Sequence, residues 1–103
     1  MSVQWNEGAE RNRDQIGDYI FERFGYTRLE KFIDEVDHTV SMILRNPNIG
    51  FIDPLFNDRP FTYRSIIING LSKMVYRIDD DVLHIVAFWD TRQEPEAQAS
   101  RTK

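Results

Sequence analysis

The chain contains no cysteine, which excludes disulfide bonds, thiol chemistry and cysteine-ligated zinc sites. No apolar run approaches the ~18 residues of a membrane span, and residues 1–15 lack the charged-then-apolar pattern of a secretory signal. We therefore expect a cytoplasmic protein with no membrane partner. Basic residues are in the minority, 13 against 17 acidic ones, which gives a net charge of −4. That excess of acidic residues argues against nonspecific electrostatic binding of nucleic acid.

Motifs for cofactor binding and nucleophilic catalysis are missing as well. The sequence has no glycine-rich phosphate loop and no G-x-S-x-G nucleophile signature. Asp79, Asp80 and Asp81, with His84 close by, resemble a metal cluster, but three acids in a tight hairpin turn are normally turn formers. We therefore expect neither a cofactor nor a metal.

The first half of the chain predicts a short strand and a helix. Hydrophobic residues make up 41% of the 103 positions, enough for one domain with a single core. Residues 2–5 alternate apolar and polar side chains, as a short strand does. Asn6 is a good N-cap, apolar residues then recur at helical spacing, and Gly25 is a stop signal. This pattern predicts a first helix over about residues 7–24.

A second helix follows almost at once. Thr27 and Glu30 form a capping-box pattern, and an apolar stripe then continues to Arg45, where Asn46 and Pro47 end it. Two helices joined by so short a link pack as an antiparallel hairpin. Residues 46–61 contain six large apolar side chains among turn residues, so we expect an ordered loop packed on the core.

The second half predicts a three-stranded antiparallel meander. Asn69-Gly70 is a strong signal for a two-residue type I′ turn between the first two strands, and Asp79–Asp81 makes a second turn before a strand ending at Trp89. The fold class is therefore α+β with the order β-α-α-β-β-β. We assign residues 1–95 to one domain and residues 96–103 to a frayed polar tail.

Pairing Ile68 with Leu71 across the turn would fix which side chains share a face of the meander. One face would carry both aliphatic and basic side chains: Arg64, Ile66, Ile68, Leu71, Lys73, Val75 and Arg77. The other would meet the helices through Tyr63, Ser65, Ile67, Ser72, Met74, Tyr76 and Ile78. A mixed, exposed face would invite a partner chain. The alternative is that the loop of residues 46–61, or the C-terminal tail, covers it.

The order of these elements resembles the RelE/ParE superfamily of type II toxins, also called plasmid stabilisation proteins, over residues 3–95. The resemblance depends most on Arg64 in the first meander strand, "MVYRIDDD" in the second and "DTRQEP" after the third. It implies a toxin held inactive by a cognate antitoxin, a segment of which folds onto the toxin surface. The antitoxin-binding residues would be Ile66, Ile68, Leu71, Val75 and Trp89.

The resemblance leaves two mechanisms open, and with them the question of whether the protein is an enzyme. A RelE-like toxin cuts mRNA on the ribosome, and Arg64, Lys73 and Arg92 match its basic catalytic positions. However, Ile66 stands where a second lysine is common, and no tyrosine or histidine follows Arg92.

A ParE-like toxin instead binds DNA gyrase and needs no acid–base pair, which the missing catalytic groups and the acidic chain favour. An inactive binding module with the same fold is a third possibility. For Arg64 and Lys73 themselves, the simpler interpretation is two surface cations whose stems lie over aliphatic side chains.

Overall fold

The computed structural model describes residues 1–91 of the chain. It contains two helices and five strands: β1 (Ser2–Trp5), α1 (Glu7–Phe24), α2 (Tyr26–Arg45), β2 (Phe51–Ile52), β3 (Arg64–Ile68), β4 (Ser72–Asp79) and β5 (Val82–Asp90). The strands form one sheet in the order β1-β5-β4-β3-β2, in which β1 runs parallel to β5 and the other neighbours are antiparallel. The predicted α+β fold is confirmed, and β2 is an additional short strand inside the loop. Arg92 and the predicted tail, residues 96–103, lie outside the described residues.

The predicted boundaries of α1 and the predicted end of α2 are correct, but the predicted cap at the start of α2 is not. Asn6 caps α1 by accepting the Gly8 N–H at 2.9 Å, and Gly25 ends the helix with φ = 91°, a left-handed value that glycine adopts without strain. Helix α2 begins at Tyr26, directly after Gly25, and within the described chain no side chain caps it. The capping-box prediction for Thr27 and Glu30 is therefore wrong. Neither helix in residues 1–91 is long and apolar enough to cross a bilayer.

The main core lies between the helical hairpin and one face of the sheet. Phe32 of α2 meets Phe88 of β5 edge to face, with 6.1 Å between ring centroids. Gly17 is buried where the two helices pack, and a Cβ added there would make an ordinary van der Waals contact with Leu29, at 3.4 Å. The buried members of this core are Ala9, Phe32, Val36, Ile43, Ile68, Met74, Tyr76, Leu83, Ile85 and Phe88.

The register of the β3–β4 hairpin differs by one residue from the prediction. Asn69 and Gly70 have the positive φ values of the predicted turn, 56° and 68°, and the Leu71 N–H donates to the Ile68 carbonyl at 3.1 Å. Nevertheless the ladder pairs Ile68 with Ser72, not with Leu71. A one-residue slip moves every side chain of one strand to the opposite face relative to its neighbour.

The predicted division of the meander into two faces is therefore wrong for β3. Ile66 and Ile68 share the helix side of the sheet with Met74, which pairs with Ile66, and Ile67 faces away from the helices. For β4 the prediction is correct: Met74, Tyr76 and Ile78 pack against the helices. The exposed face that combined Ile66 and Ile68 with Lys73 and Val75 does not exist.

The face of the sheet opposite the helices is covered by the chain's own loop. The ring of Phe56, from a short 3₁₀ helix at Pro54–Phe56, stacks on Tyr63 and on Trp89, with centroid distances of 5.0 and 6.2 Å. Val75 beneath this loop is wholly buried. We call this surface the loop face, and its core consists of Phe56, Tyr63, Val75, Val86, Ala87 and Trp89. The ordered, packed loop is confirmed, and the alternative in which it covers the sheet is the correct one.

Candidate functional site

Lys73 holds the loop onto the sheet through a buried ion pair. Its ammonium lies 2.6 Å from Asp53 Oδ2, and the two side chains are only 12% and 1% exposed. The Ser65 hydroxyl donates to the same carboxylate oxygen at 2.6 Å, and the Leu55 N–H donates to the other at 3.0 Å. The Trp89 ring centroid lies 5.4 Å from the Lys73 ammonium. This lysine is therefore enclosed by its own chain, with a carboxylate on one side and an aromatic ring on the other.

These contacts control the ionisation of Asp53. Burial by itself raises the pKa of a carboxyl, because it penalises the charged form. Here the hydrogen bonds from Lys73, Ser65 and the Leu55 N–H outweigh that penalty, so the pKa of Asp53 lies below its ordinary value. Asp53 is consequently ionised at neutral pH and stabilises the positive charge of Lys73.

Arg64 and Tyr76 anchor the start of the loop on the other side of the sheet. The Arg64 guanidinium donates to the Gly50 carbonyl at 2.9 Å, and the Tyr76 hydroxyl donates to the Pro47 carbonyl at 2.7 Å while accepting the Gly50 N–H at 3.0 Å. Burial raises the pKa of Tyr76 above its ordinary value, although the Gly50 N–H and the charge of Arg64 oppose the shift. The phenol therefore remains protonated and keeps its role as a donor.

The structure does not bring the predicted catalytic cations together. Arg64 pairs with Tyr76, whereas Lys73 pairs with Ile67, so the two cations lie on opposite faces of the sheet. Each one is bound to groups of its own chain. Arg92, the third predicted residue, lies outside the described part of the chain. A catalytic role for the three remains a prediction, but the premise that Arg64 and Lys73 share one face is wrong.

A groove with a volume of about 650 Å³ opens between the helical hairpin and the tip of the β3–β4 hairpin. We call it the helix groove. Three apolar side chains on its walls are unusually open to solvent: Tyr19 is 47%, Phe24 is 51% and Leu71 is 58% exposed. The same walls carry charges of both signs, from Arg28 and Lys31 and from Glu35 and Asp90. Exposed aromatic and aliphatic side chains gathered in a concave surface are typical of protein-binding sites.

The five predicted antitoxin-binding residues are divided among different surfaces. Ile68, Leu71 and Trp89 line the helix groove, although Ile68 is only 6% and Trp89 only 5% exposed. Ile66 is half-buried beside α2. Val75 lies under the loop on the opposite face, so a contact between Val75 and an antitoxin would require the loop to move. Contact with an antitoxin stays a prediction for all five, and only Leu71 presents a largely free side chain.

Three residues that contribute to these sites were missed. Asp53 precedes Pro54 and caps the 3₁₀ helix, and an aspartate before a proline is a recognisable helix-start signal, but its pairing with Lys73 spans 20 residues of sequence. Tyr19 and Phe24 belong to the apolar stripe that predicted α1, and that pattern did not indicate a binding surface. The signal would have been an apolar stripe on α1 that is wider than the sheet surface against which it packs. The sequence does not reveal the width of that sheet surface.

Comparison with known proteins places this architecture in a family. A family model described as the ParE toxin of the type II toxin–antitoxin system, parDE, matches residues 3–95. Among solved structures, the chromosomal ParDE TA system from P. aeruginosa is similar, with a TM-score of 0.69 and 19% sequence identity. That match covers 87% of this chain and 95% of the other, and at this identity it shows a shared fold. No match was found among curated proteins.

Proposed function

Because the chain belongs to the ParE toxin family of type II toxin–antitoxin systems, we propose that it arrests growth by binding DNA gyrase and that a cognate antitoxin keeps it inactive. The observation that carries the proposal is the separation of Arg64 from Lys73 on opposite faces of the sheet. A protein-directed toxin needs a complementary surface and no proton-transfer groups.

The internal contacts of both cations support a protein-directed toxin over an RNA-cleaving one. Cleavage of RNA needs groups that move protons and cations that meet the growing phosphate charge. The charge of Lys73 is already neutralised by Asp53, and Arg64 is engaged with the backbone of residues 48–50. The net charge of −4 also gives little attraction to ribosomal RNA.

The helix groove is the surface that we propose for the antitoxin. Its exposed apolar residues, Tyr19, Phe24 and Leu71, would be desolvated by an apolar segment of the antitoxin. A side chain such as Leu71, when fully buried, contributes about 1.5–3 kcal/mol. Neutralisation would therefore depend on Leu71 more than on the buried residues beside it.

The choice of target is tested by inducing the protein without an antitoxin and following gyrase activity and mRNA together. We expect growth arrest with DNA-damage signalling, intact mRNA, and inhibition of DNA supercoiling when the purified protein is added to gyrase. Rapid codon-biased cleavage of mRNA, with supercoiling unaffected, would select the RNA-cleaving mechanism. Harmless expression without any antitoxin would indicate an inactive member of the family.

The antitoxin site is tested with Leu71→Asp. Because Leu71 is 58% exposed, the variant should fold and remain toxic, but the antitoxin should no longer rescue growth when the two are co-expressed. Ile52→Asp is the matched control, since Ile52 is 61% exposed and lies on β2, away from the helix groove. Equal rescue of the Leu71→Asp and Ile52→Asp variants would show that the antitoxin does not depend on this groove.

A further inference from the structure

A second concavity lies between α2 and the outer edge of β3. Its volume is about 700 Å³, its floor is formed by Ile66–Ile68, and one wall is formed by side chains of α2. Asn69 of the hairpin donates a hydrogen bond to Glu35 of α2 and closes one end. We call this cavity the edge trough. It adjoins the helix groove, which lies on the α1 side of the hairpin, and the two cavities share four lining residues, Lys31, Glu35, Ile68 and Asn69.

The floor of the edge trough is a strand edge that β2 does not cover. The β2–β3 ladder has two paired positions, Phe51 with Ser65 and Ile52 with Arg64, so Ile66–Ile68 extend beyond it. The Tyr63 carbonyl accepts the Asp53 N–H at 2.9 Å on the β2 side of the strand, so the alternation of an antiparallel ladder directs the backbone polar groups of Ser65 and Ile67 to the same side. The Ile67 side chain is also 44% exposed. An uncovered strand edge with a large apolar side chain is a template for a further strand.

The wall of the edge trough is acidic. Glu30, Asp34 and Glu35 contribute three carboxylates, against one ammonium from Lys31. Glu30 and Asp34 are exposed and lie one helical turn apart, so both can meet the same segment of a partner. A segment that entered this space would therefore gain from positive charge.

We infer that the edge trough binds an extended segment of the cognate antitoxin that carries basic side chains, pairing with the edge of β3 and placing lysine or arginine against Glu30 and Asp34. This inference rests on the proposed function, since it names the chemistry of the partner. A second copy of the chain fits worse, because edge-to-edge pairing would bring two acidic walls together. The carboxylates of α2 would thus select an antitoxin whose binding segment is positively charged.

The test uses synthetic peptides and the purified full-length chain. One labelled heptapeptide alternates valine and lysine, a second alternates valine and glutamate, and a third is the lysine peptide with alternate amides N-methylated to prevent strand pairing. We expect the lysine peptide alone to bind, with an affinity that falls as salt rises. The affinity of the lysine peptide for the double variant Glu30→Lys, Asp34→Lys should be lower by about tenfold or more, because two attractions between peptide lysines and surface carboxylates become repulsions between like charges.

The double variant Asp18→Lys, Glu22→Lys is the matched control, because it makes the same charge change at two exposed positions one turn apart on α1, outside the edge trough, and should leave peptide binding unchanged. Equal binding of all three peptides, binding of none, or no effect of the double variant would overturn the inference. It would also be overturned if the free protein proved to be a dimer that Ile67→Lys dissociates. A gain in peptide affinity on replacing Arg101 and Lys103 with alanine would assign the trough to the chain's own C-terminal segment, and so overturn it too. Toxicity plays no part in this assay, so its failure leaves the gyrase proposal standing, and the reverse also holds.

Discussion

Replacing Lys73 with methionine separates a structural role for this lysine from a catalytic one. The substitution keeps the length of the side chain but removes the charge that lies 2.6 Å from Asp53 Oδ2. Because Asp53 is only 1% exposed, its carboxylate would remain buried without a counter-ion. A catalytic lysine could be replaced with little change in stability, whereas the structure makes Lys73 part of the fold.

The expected loss follows from the burial of the pair. Breaking a buried ion pair by removing one partner costs about 3–5 kcal/mol. Ser65 and the Leu55 N–H still donate to Asp53 in the variant, so the lower end applies, a loss of about 3 kcal/mol in the free energy of unfolding. For a domain of this size that corresponds to a fall of about 15 °C in the melting temperature.

Urea denaturation followed by tryptophan fluorescence is the assay, because Trp89 lies beside the ion pair. Adding Asp53→Asn to Lys73→Met should recover much of the loss, since no charge is then left buried, and the double-mutant cycle isolates the pair's coupling energy. Lys31→Met is the control, because it removes an exposed cation and should cost less than about 0.5 kcal/mol. If Lys73→Met were as stable as that control, the structural account of Lys73 would be refuted.

Two further predictions concern the same loop. The lowered pKa of Asp53 means that its ionised form stabilises the fold above the unfolded value of about 3.9, and that this contribution is lost as pH falls through the folded pKa. The stability difference between the wild type and Asp53→Asn should therefore be constant from about pH 7 to 5 and shrink below about pH 4 in urea titrations; a difference that grows in acid would contradict it. Gly50→Ala should lower the free energy of unfolding by about 1–3 kcal/mol at neutral pH, because the added Cβ would lie 2.9 Å from the Ser65 carbonyl and from Tyr76. An unchanged urea midpoint would show that the loop can move away from the added Cβ without loss of stability.

Much of the fold could be predicted from the sequence because its signals are local. Asn6 and Gly25 mark the ends of α1 by their own backbone chemistry, and the positive φ values of Asn69 and Gly70 follow from the residues themselves. The apolar content of the loop also indicated that it would be ordered and packed.

The candidate sites were harder to predict because they depend on distant pairings. The helix groove exists because α1 carries more apolar surface than the sheet covers, which leaves Tyr19 and Phe24 in solvent. The sequence shows that these residues belong to an apolar stripe and does not show where the partner surface ends.

The sequence by itself determined both helices, every strand except β2, the turns and an acidic chain without cysteine, because each of these depends on neighbouring residues or on composition alone. The tertiary structure alone decided the register of β3 on β4, and with it the faces on which Arg64 and Lys73 lie. The turn chemistry is compatible with pairing Ile68 to either Leu71 or Ser72. Packing of Met74 and Tyr76 against the helices, and of Lys73 against Asp53 from 20 residues away, selects the second register.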